Sequence, residues 1–211
     1  MCWKEPSMRR SCSNSPRSAD KYLIIATHNQ NKFFEIRLAL GPLRIPVFSL
    51  KDFPDVPEAP ETGNSFSENA RMKADFYYKI LKKPLLAEDS GLVIPALNGY
   101  PGIYSARIAS NDADRIALIL QKLRDCADRS AAYVCGMVFS NGKESESAEG
   151  ICRGMIVEAP KGNQGFGYDP IFKPEESLKT FGQMTMTEKS NYSHRARAVT
   201  RLLPRLLITD Y

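Results

Sequence analysis

The apolar run Tyr22-Leu-Ile-Ile-Ala26 passes without a linker into Thr27-His28-Asn29, and Phe33, Ile36 and Leu40 then recur at helical spacing until Gly41-Pro42. A short run rich in β-formers reads as a buried strand, and the Gly-Pro pair stops the helix. Strand, tight turn and helix in direct succession point to an α/β layout. The same junction has a chemical consequence. A helix that starts directly after a strand points backbone N–H groups and the positive end of its dipole outward.

Further along, the acidic stretch from Asp52 to Glu61, with prolines at 54, 57 and 60, reads as an extended loop. Ser65-x-x-Glu68 predicts a capping box, with Ala70, Ala74, Tyr77 and Leu81 on the inward face of a second helix that ends by Pro84. Leu85-Leu-Ala87 reads as a second buried strand, broken by a turn at Glu88-Asp89-Ser90-Gly91, after which Leu92-Val-Ile94 resumes extended structure. Asn111 caps a third helix whose inward face holds Ile116, Ile119, Leu120 and Leu123. From Ala131 to Phe139 the chain is apolar on both faces, and Asn141-Gly142 predicts a type I′ turn into a return strand reaching Ile156. A last helix runs from Ser193 to about Leu207, interrupted at Pro204. Strands alternate with helices early and pair antiparallel later. The expected fold is α/β, with a mixed twisted β-sheet flanked by helices and a cleft along it.

Residues 1–20 carry five serines and Arg9, Arg10 and Arg17 without any apolar period, and are expected to form a disordered extension. An extended or misassigned start, with Met8 as a rival initiator, fits better than a transit peptide. Residues 21–211 are expected to fold as one unit, and 43% hydrophobic content suffices for a buried core. No run approaches the length of a membrane span and no secretory signal opens the chain, so a soluble, cytoplasmic protein without a membrane partner is expected. Five scattered cysteines lack metal or redox spacing and read as reduced thiols. The net charge of +5 is concentrated in Lys189, Arg195, Arg197, Arg201 and Arg205. One compact basic feature suits a polyphosphate at least as well as a duplex, and no nucleic-acid partner is expected.

Four groups of residues could carry chemistry. Thr27, His28, Asn29, Gln30, Asn31 and Lys32 form a phosphate seat at a helix start, without the glycines of a Walker loop. Glu88 and Asp89, swung toward one cleft by the expected turn, would either share a proton or bind a cation, and an all-oxygen site suits Mg2+. Glu61, with Asn69 and Lys73 nearby, is a further acidic candidate. In Gly165-Phe-Gly-Tyr-Asp169 the glycines let backbone approach a flat ligand, Phe166 and Tyr168 offer stacking faces, and Asp169 can accept from a ring N–H. Lys189, His194 and Arg195 add donors for an anionic or keto-bearing ligand. Together these parts point to a nucleotide.

Taken in order, Thr-His-Asn-x-x-Lys (27–32), Glu61-Thr-Gly, Glu68-Asn-Ala with Lys73-Ala, Glu88-Asp-Ser-Gly91, Pro101-Gly-Ile-Tyr-Ser-Ala-Arg107, Gly165-Phe-Gly-Tyr-Asp-Pro-Ile-Phe172 and Ser193-His-Arg195 resemble the noncanonical purine NTP pyrophosphatases, the RdgB and inosine triphosphate pyrophosphatase family. The resemblance covers Lys21 to Leu207. It implies an elongated, two-lobed homodimer with a central substrate cleft, converting ITP, dITP and XTP to the monophosphate and pyrophosphate with Mg2+. On that model Asp89 is the proton acceptor and a metal ligand, with Glu61 and Glu88 as further acidic members of the metal site. Residues 27–32, Ser90, Phe166, Gly167, Tyr168, Asp169, Lys189, His194 and Arg195 contact the nucleotide. The chain departs from the family at His28, where glycine is usual, and at Glu88, where aspartate is common. A Maf-like pyrophosphatase would need an arginine-containing first motif that this sequence lacks. A binding protein using the basic helix and loop aromatics leaves Glu88-Asp89 without a purpose.

Overall fold

The computed structural model describes residues 21–209; the expected N-terminal extension lies outside them. Strand β1 (Leu23–Ile25) leads through the expected tight turn into helix α1 (Gln30–Ala39), capped by Asn29. A short strand that sequence reasoning passed over, β2 (Val47–Ser49), precedes the proline-rich loop. Helix α2 (Phe66–Leu81) is followed by β3 (Leu85–Val93), then α3 (Asp112–Lys122), the long pair β4 (Ser130–Ser140) and β5 (Ser145–Ile156), β6 (Phe172–Pro174), and helices α4 (Met186–Ser190) and α5 (His194–Ile208). One six-stranded sheet runs β2-β1-β3-β4-β5-β6. Its β1 pairings are parallel and the remaining pairings antiparallel. The fold is therefore the mixed α/β arrangement expected.

Side-chain alternation along the strands sorts the core. Leu23, Ile25, Leu86, Cys135 and Met137 pack under α1 and α5, whereas Ile24, Leu85, Ala87 and Val138 pack under α2 with Ala70, Ala74 and Tyr77. A third cluster, around Leu92, Ile94, Ile119, Tyr133, Phe172 and Phe181, joins α3 to the far ends of β3, β4 and β5. Two lobes thus share three strands, and the crevice between them lies where α1, the turn before Ile171 and the start of α5 meet.

Four local expectations are corrected. β3 is continuous through Glu88-Asp89-Ser90-Gly91 and pairs residue for residue with β4, so there is no turn to swing two carboxylates together. Glycine survives in this central strand because Ser105 fills the space a side chain would take. The β4–β5 connection spans Asn141–Glu144 rather than two residues, since Ser140 pairs with Ser145. Its Asn141 Oδ1 accepts from the N–H groups of Lys143 and Glu144, and φ is positive at Gly142 but not at Asn141, which excludes type I′. Helix α5 continues through Pro204 to Ile208, its apolar face holding it on the sheet. Finally, Ser65 caps α2 as expected, but Glu68 returns to the N–H of Asn64 rather than to that of Ser65.

Close backbone approach positions α5. At Gly150 on β5 a Cβ would overlap the His194 carbonyl and the Ala198 N–H, so the start of α5 rests directly on the strand. Gly150→Ala is expected to cost about 1–3 kcal/mol in urea unfolding and to lower kcat/KM, because the overpacking displaces the turn that carries His194 and Arg195.

Candidate active site

At the start of α1, Asn29 Oδ1 accepts from the N–H groups of Asn31 (2.9 Å) and Lys32 (3.3 Å), while its own N–H donates to Thr27 Oγ1 at 3.1 Å. The cap thus uses two of the groups that the helix start was expected to offer a phosphate. Gln30 leans toward β2, its Nε2 3.5 Å from Ser49 Oγ. His28 carries no left-handed strain: outside glycine, positive φ among the described residues is confined to Lys82 and Asn98. Lys32 is not a solvated side chain. Its Nζ lies 2.7 Å from Oε1 of Glu88, which is buried in β3.

From Glu88 a line of alternating charges crosses the crevice. Glu88 Oε2 faces Arg195 Nε at 3.5 Å, and Arg195 donates to Ser90 Oγ (2.6 Å) and to Glu35 Oε2 (2.9 Å). The other oxygen of Glu35 meets Lys189 Nζ at 2.7 Å, and Lys189 reaches Asp169 Oδ2 at 2.5 Å. Asp169 in turn accepts from the Phe166 N–H at 2.9 Å and faces the Tyr133 hydroxyl at 3.4 Å. The glycine at 165 is required here, because with φ +75° a Cβ would run into the Asp169 carboxylate. Gly167 is tied separately, its N–H donating to Asp112 at 2.7 Å.

The Phe166 ring lies over both cations, 4.9 Å from Lys189 Nζ and 5.4 Å from the Arg195 guanidinium. Tyr168 is more deeply buried, its hydroxyl donating to the Ser105 carbonyl at 2.7 Å, which anchors the turn. His194 stacks on Tyr133 with centroids 4.7 Å apart and planes 7° from parallel, and both its ring nitrogens are buried without a partner. A cavity of about 190 Å³ brings these groups together with Asn29, Asn31, Lys32, Ser90 and Gly167.

Asp89 occupies the other face of β3, as strand alternation demands. Its Oδ2 accepts from Asn69 Nδ2 at 2.9 Å, and its Oδ1 faces Lys73 Nζ at 3.4 Å. Lys73 also pairs with Glu61 and donates to the Glu88 carbonyl at 3.2 Å, and Glu61 pairs with Arg107. The expected gathering of three carboxylates is therefore corrected. Glu61 and Asp89 converge on one ammonium, but the Glu88 carboxylate is committed to Lys32 and Arg195 across the strand, and no group of three metal-ligating side chains forms among the described residues. The remaining donor set, hard oxygens already converging on a cation, has the chemistry that suits Mg2+. Glu61, Lys73 and Glu88 line a second hollow with Thr27, His28, Asn29 and Lys32, which places this group beside the phosphate seat; Asp89 lies just beneath, 6% exposed.

Sequence reasoning missed Glu35, which joins Lys189 to Arg195, and Tyr133, Ser105, Asp112 and Arg115, which line the cavity. Glu35 carried the one readable signal: a carboxylate next to inward-facing Ile36 and three residues after Lys32, on a helix side that should have been apolar.

Burial and neighbours set the ionisation of these groups. Desolvation opposes the charge on Glu88 and Glu35, but Lys32 and Arg195 around the first, and Lys189 and Arg195 around the second, hold both carboxyls below their ordinary range. Burial pushes Asp169 up, and Lys189 offsets this in part. Burial drives His194 well below the usual imidazole value, reinforced by Arg195 and Lys189, so the ring is neutral at pH 7.

The model of the Ham1 family matches residues 23–205 of this chain. A protein named dITP/XTP pyrophosphatase from Geobacillus kaustophilus is 43% identical over 188 residues, which cover 86% of this chain and 92% of that one. Another of the same name from Gloeobacter violaceus is 43% identical over 185 residues, covering 87% and 93%. Among solved structures, a HAM1 protein from Coxiella burnetii superposes with a TM-score of 0.80 at 36% identity, covering 90% of this chain and 100% of that one.

Two outcomes follow from the buried charges. Glu35→Gln leaves Lys189 and Arg195 short of a carboxylate and is expected to cost about 3 kcal/mol or more in chemical denaturation. For His194 the folded-state pKa lies below the unfolded value of about 6.5, so stability is lost as pH falls through that unfolded value, at up to about 1.4 kcal/mol per pH unit. Between pH 7 and 5.5 the wild type is expected to lose more stability than His194→Gln. Asp169, raised by burial, acts in the opposite sense, so the difference between the two proteins is the quantity to measure.

Proposed function

The chain belongs to the Ham1 family, and on that premise we propose that it is a nucleoside triphosphate pyrophosphatase hydrolysing ITP, dITP and XTP to the monophosphate and pyrophosphate. Such an activity would keep deaminated purines out of DNA and RNA. The observation that carries this reading is the convergence of the α1 start, the Phe166 turn, His194 and Arg195 on one cavity, beside a second hollow that holds Glu61 and Lys73.

Each residue has a definable task. Lys32 and the helix start meet the phosphates, and Phe166, braced from Lys189 and Arg195, stacks on the base. Neutral His194 offers one N–H and one acceptor nitrogen to the ligand. A donor aimed at a 6-keto oxygen would be left unpaired by an adenine amino group, and sites of this kind reject the wrong analogue by roughly 10⁴-fold. Asp89, held in place by Asn69, is the proton acceptor for the attacking water, which strikes the α-phosphorus and releases pyrophosphate. Glu61 and Asp89 would hold Mg2+, which when bound supplies charge neutralisation to the polyphosphate. A homodimer accompanies this reading and is tested by sedimentation.

The alternative of nucleic-acid binding loses its cationic stripe. Arg195 is buried in the site, Arg197 pairs with Glu176, Arg205 with Glu144, and Arg201 donates to the Glu149 carbonyl. No helix among the described residues is long and apolar enough to cross a membrane.

Incubation with ITP, dITP, XTP, GTP, ATP and dTTP in Mg2+, with products resolved by ion-exchange chromatography, tests the reaction. IMP with pyrophosphate is expected from ITP, whereas IDP with orthophosphate would refute attack at the α-phosphorus. Asp89→Asn is expected to lower kcat by at least about 10²-fold while nucleotide binding stays measurable.

A further inference from the structure

We propose that Lys73 is a built-in placeholder cation: its ammonium fills the space between Glu61, Asp89 and the Glu88 carbonyl until a nucleotide arrives, so that a divalent cation binds with the nucleotide and not before it. This rests on the metal-dependent reading above and assigns Lys73 a role within it.

Geometry singles out Lys73. It is 7% exposed, and its Nζ faces three oxygens, those of Glu61 and Asp89 side chains and of the Glu88 main chain. An ammonium has three N–H donors, so the three acceptors use its full capacity. The site is also over-determined from the acceptor side. Asn69 Nδ2 fixes one Asp89 oxygen, Gly63 N–H fixes the Asn69 carbonyl oxygen at 2.8 Å, and Arg107 takes the other Glu61 oxygen. The free oxygens of the two carboxylates therefore point at Lys73 because their partners are already set.

Charge then decides the order of binding. Glu61 and Asp89 already face Lys73 and Arg107, so a divalent ion entering alone must compete with the Lys73 ammonium for the same oxygens and is repelled by its charge. A triphosphate removes that obstacle twice over. It supplies negative charge for the metal, and it gives the flexible Lys73 side chain alternative acceptors in the adjoining hollow that Lys73 itself lines.

The experiment measures divalent affinity without turnover, by Mn2+ electron paramagnetic resonance on the nucleotide-free protein. Lys73→Met is expected to bind Mn2+ at least about tenfold more tightly than wild type. Arg107→Gln removes equal charge from the same Glu61 but not from the three-oxygen position, and is expected to change affinity less than about threefold. Unchanged or weaker binding by Lys73→Met overturns the proposal, as does equal tightening by both variants, which would reduce the effect to net charge. If Lys73→Met fails the circular-dichroism check for folding, Lys73→Gln answers the same question. In wild type, a non-hydrolysable triphosphate analogue is expected to raise Mn2+ affinity by tenfold or more, and no rise counts against the proposal. Should wild-type hydrolysis prove independent of any divalent ion, the metal reading itself falls, an outcome separable from the failure of the placeholder alone.

Discussion

A buried line of alternating charge, Lys32–Glu88–Arg195–Glu35–Lys189–Asp169, organises the crevice. A charge removed from water is tolerated when opposite charge and hydrogen bonds replace the lost hydration. Each interior member of this line has an opposite neighbour on either side, and Asp169 ends it with a backbone N–H and a tyrosine hydroxyl. The members come from α1, β3, the Phe166 turn, α4 and α5. Every pair in the line joins two different segments, so the line forms when the tertiary structure closes. The result is a preorganised set of donors and dipoles, fixed before any ligand enters.

Strand β3 divides the chemistry between two faces. Leu86, Glu88 and Ser90 turn toward α1 and α5, and serve the charge line; Ala87 and Asp89 turn toward α2, where Asn69 and Lys73 wait. Adjacent carboxylates that look like a pair in the sequence thus work in different neighbourhoods. The period of two in an extended strand separates them more firmly than electrostatic repulsion would. Lys73 spans the divide, reaching the Glu88 carbonyl from the Asp89 side.

Much of this was legible in the sequence where local signals are strong. The β1–α1 junction, the Ser65 and Asn111 caps and the long β4–β5 pair follow from periodicity and capping chemistry, and Asn29, Asn31 and Lys32 of the seat do line one cavity with the turn and the start of the basic helix. The misses share a cause. Gly91 looked like a turn because the neighbour that fills its missing side chain, Ser105, is supplied by tertiary packing. Pro204 looked like a break because the apolar contacts that hold α5 together lie on the sheet. Glu35 went unassigned because its partners, Lys189 and Arg195, are more than 150 residues away and nothing local announces them. Tyr168 lines the cavity as expected, but its hydroxyl is also tied to a carbonyl inside the fold, a partner that no local signal announces.

On the proposed reading, charge balance would let such a site favour a nucleotide with its counter-ion over either one alone. Along the line three anions meet three cations, and beyond β3 Glu61 and Asp89 meet Lys73 and Arg107. A bare triphosphate or a bare divalent ion entering alone would unbalance these pairs. On that reading, a nucleotide carrying its counter-ion would alter the balance least and let existing pairs exchange partners rather than break. His194 extends the same logic to the base. Stacking on Tyr133 fixes its plane without using either nitrogen, and burial among cations keeps it neutral, so it presents one donor and one acceptor where an imidazolium would present two donors. On the proposed reading, the polar edge of a keto purine would meet an imidazole kept neutral by burial and by the neighbouring cations.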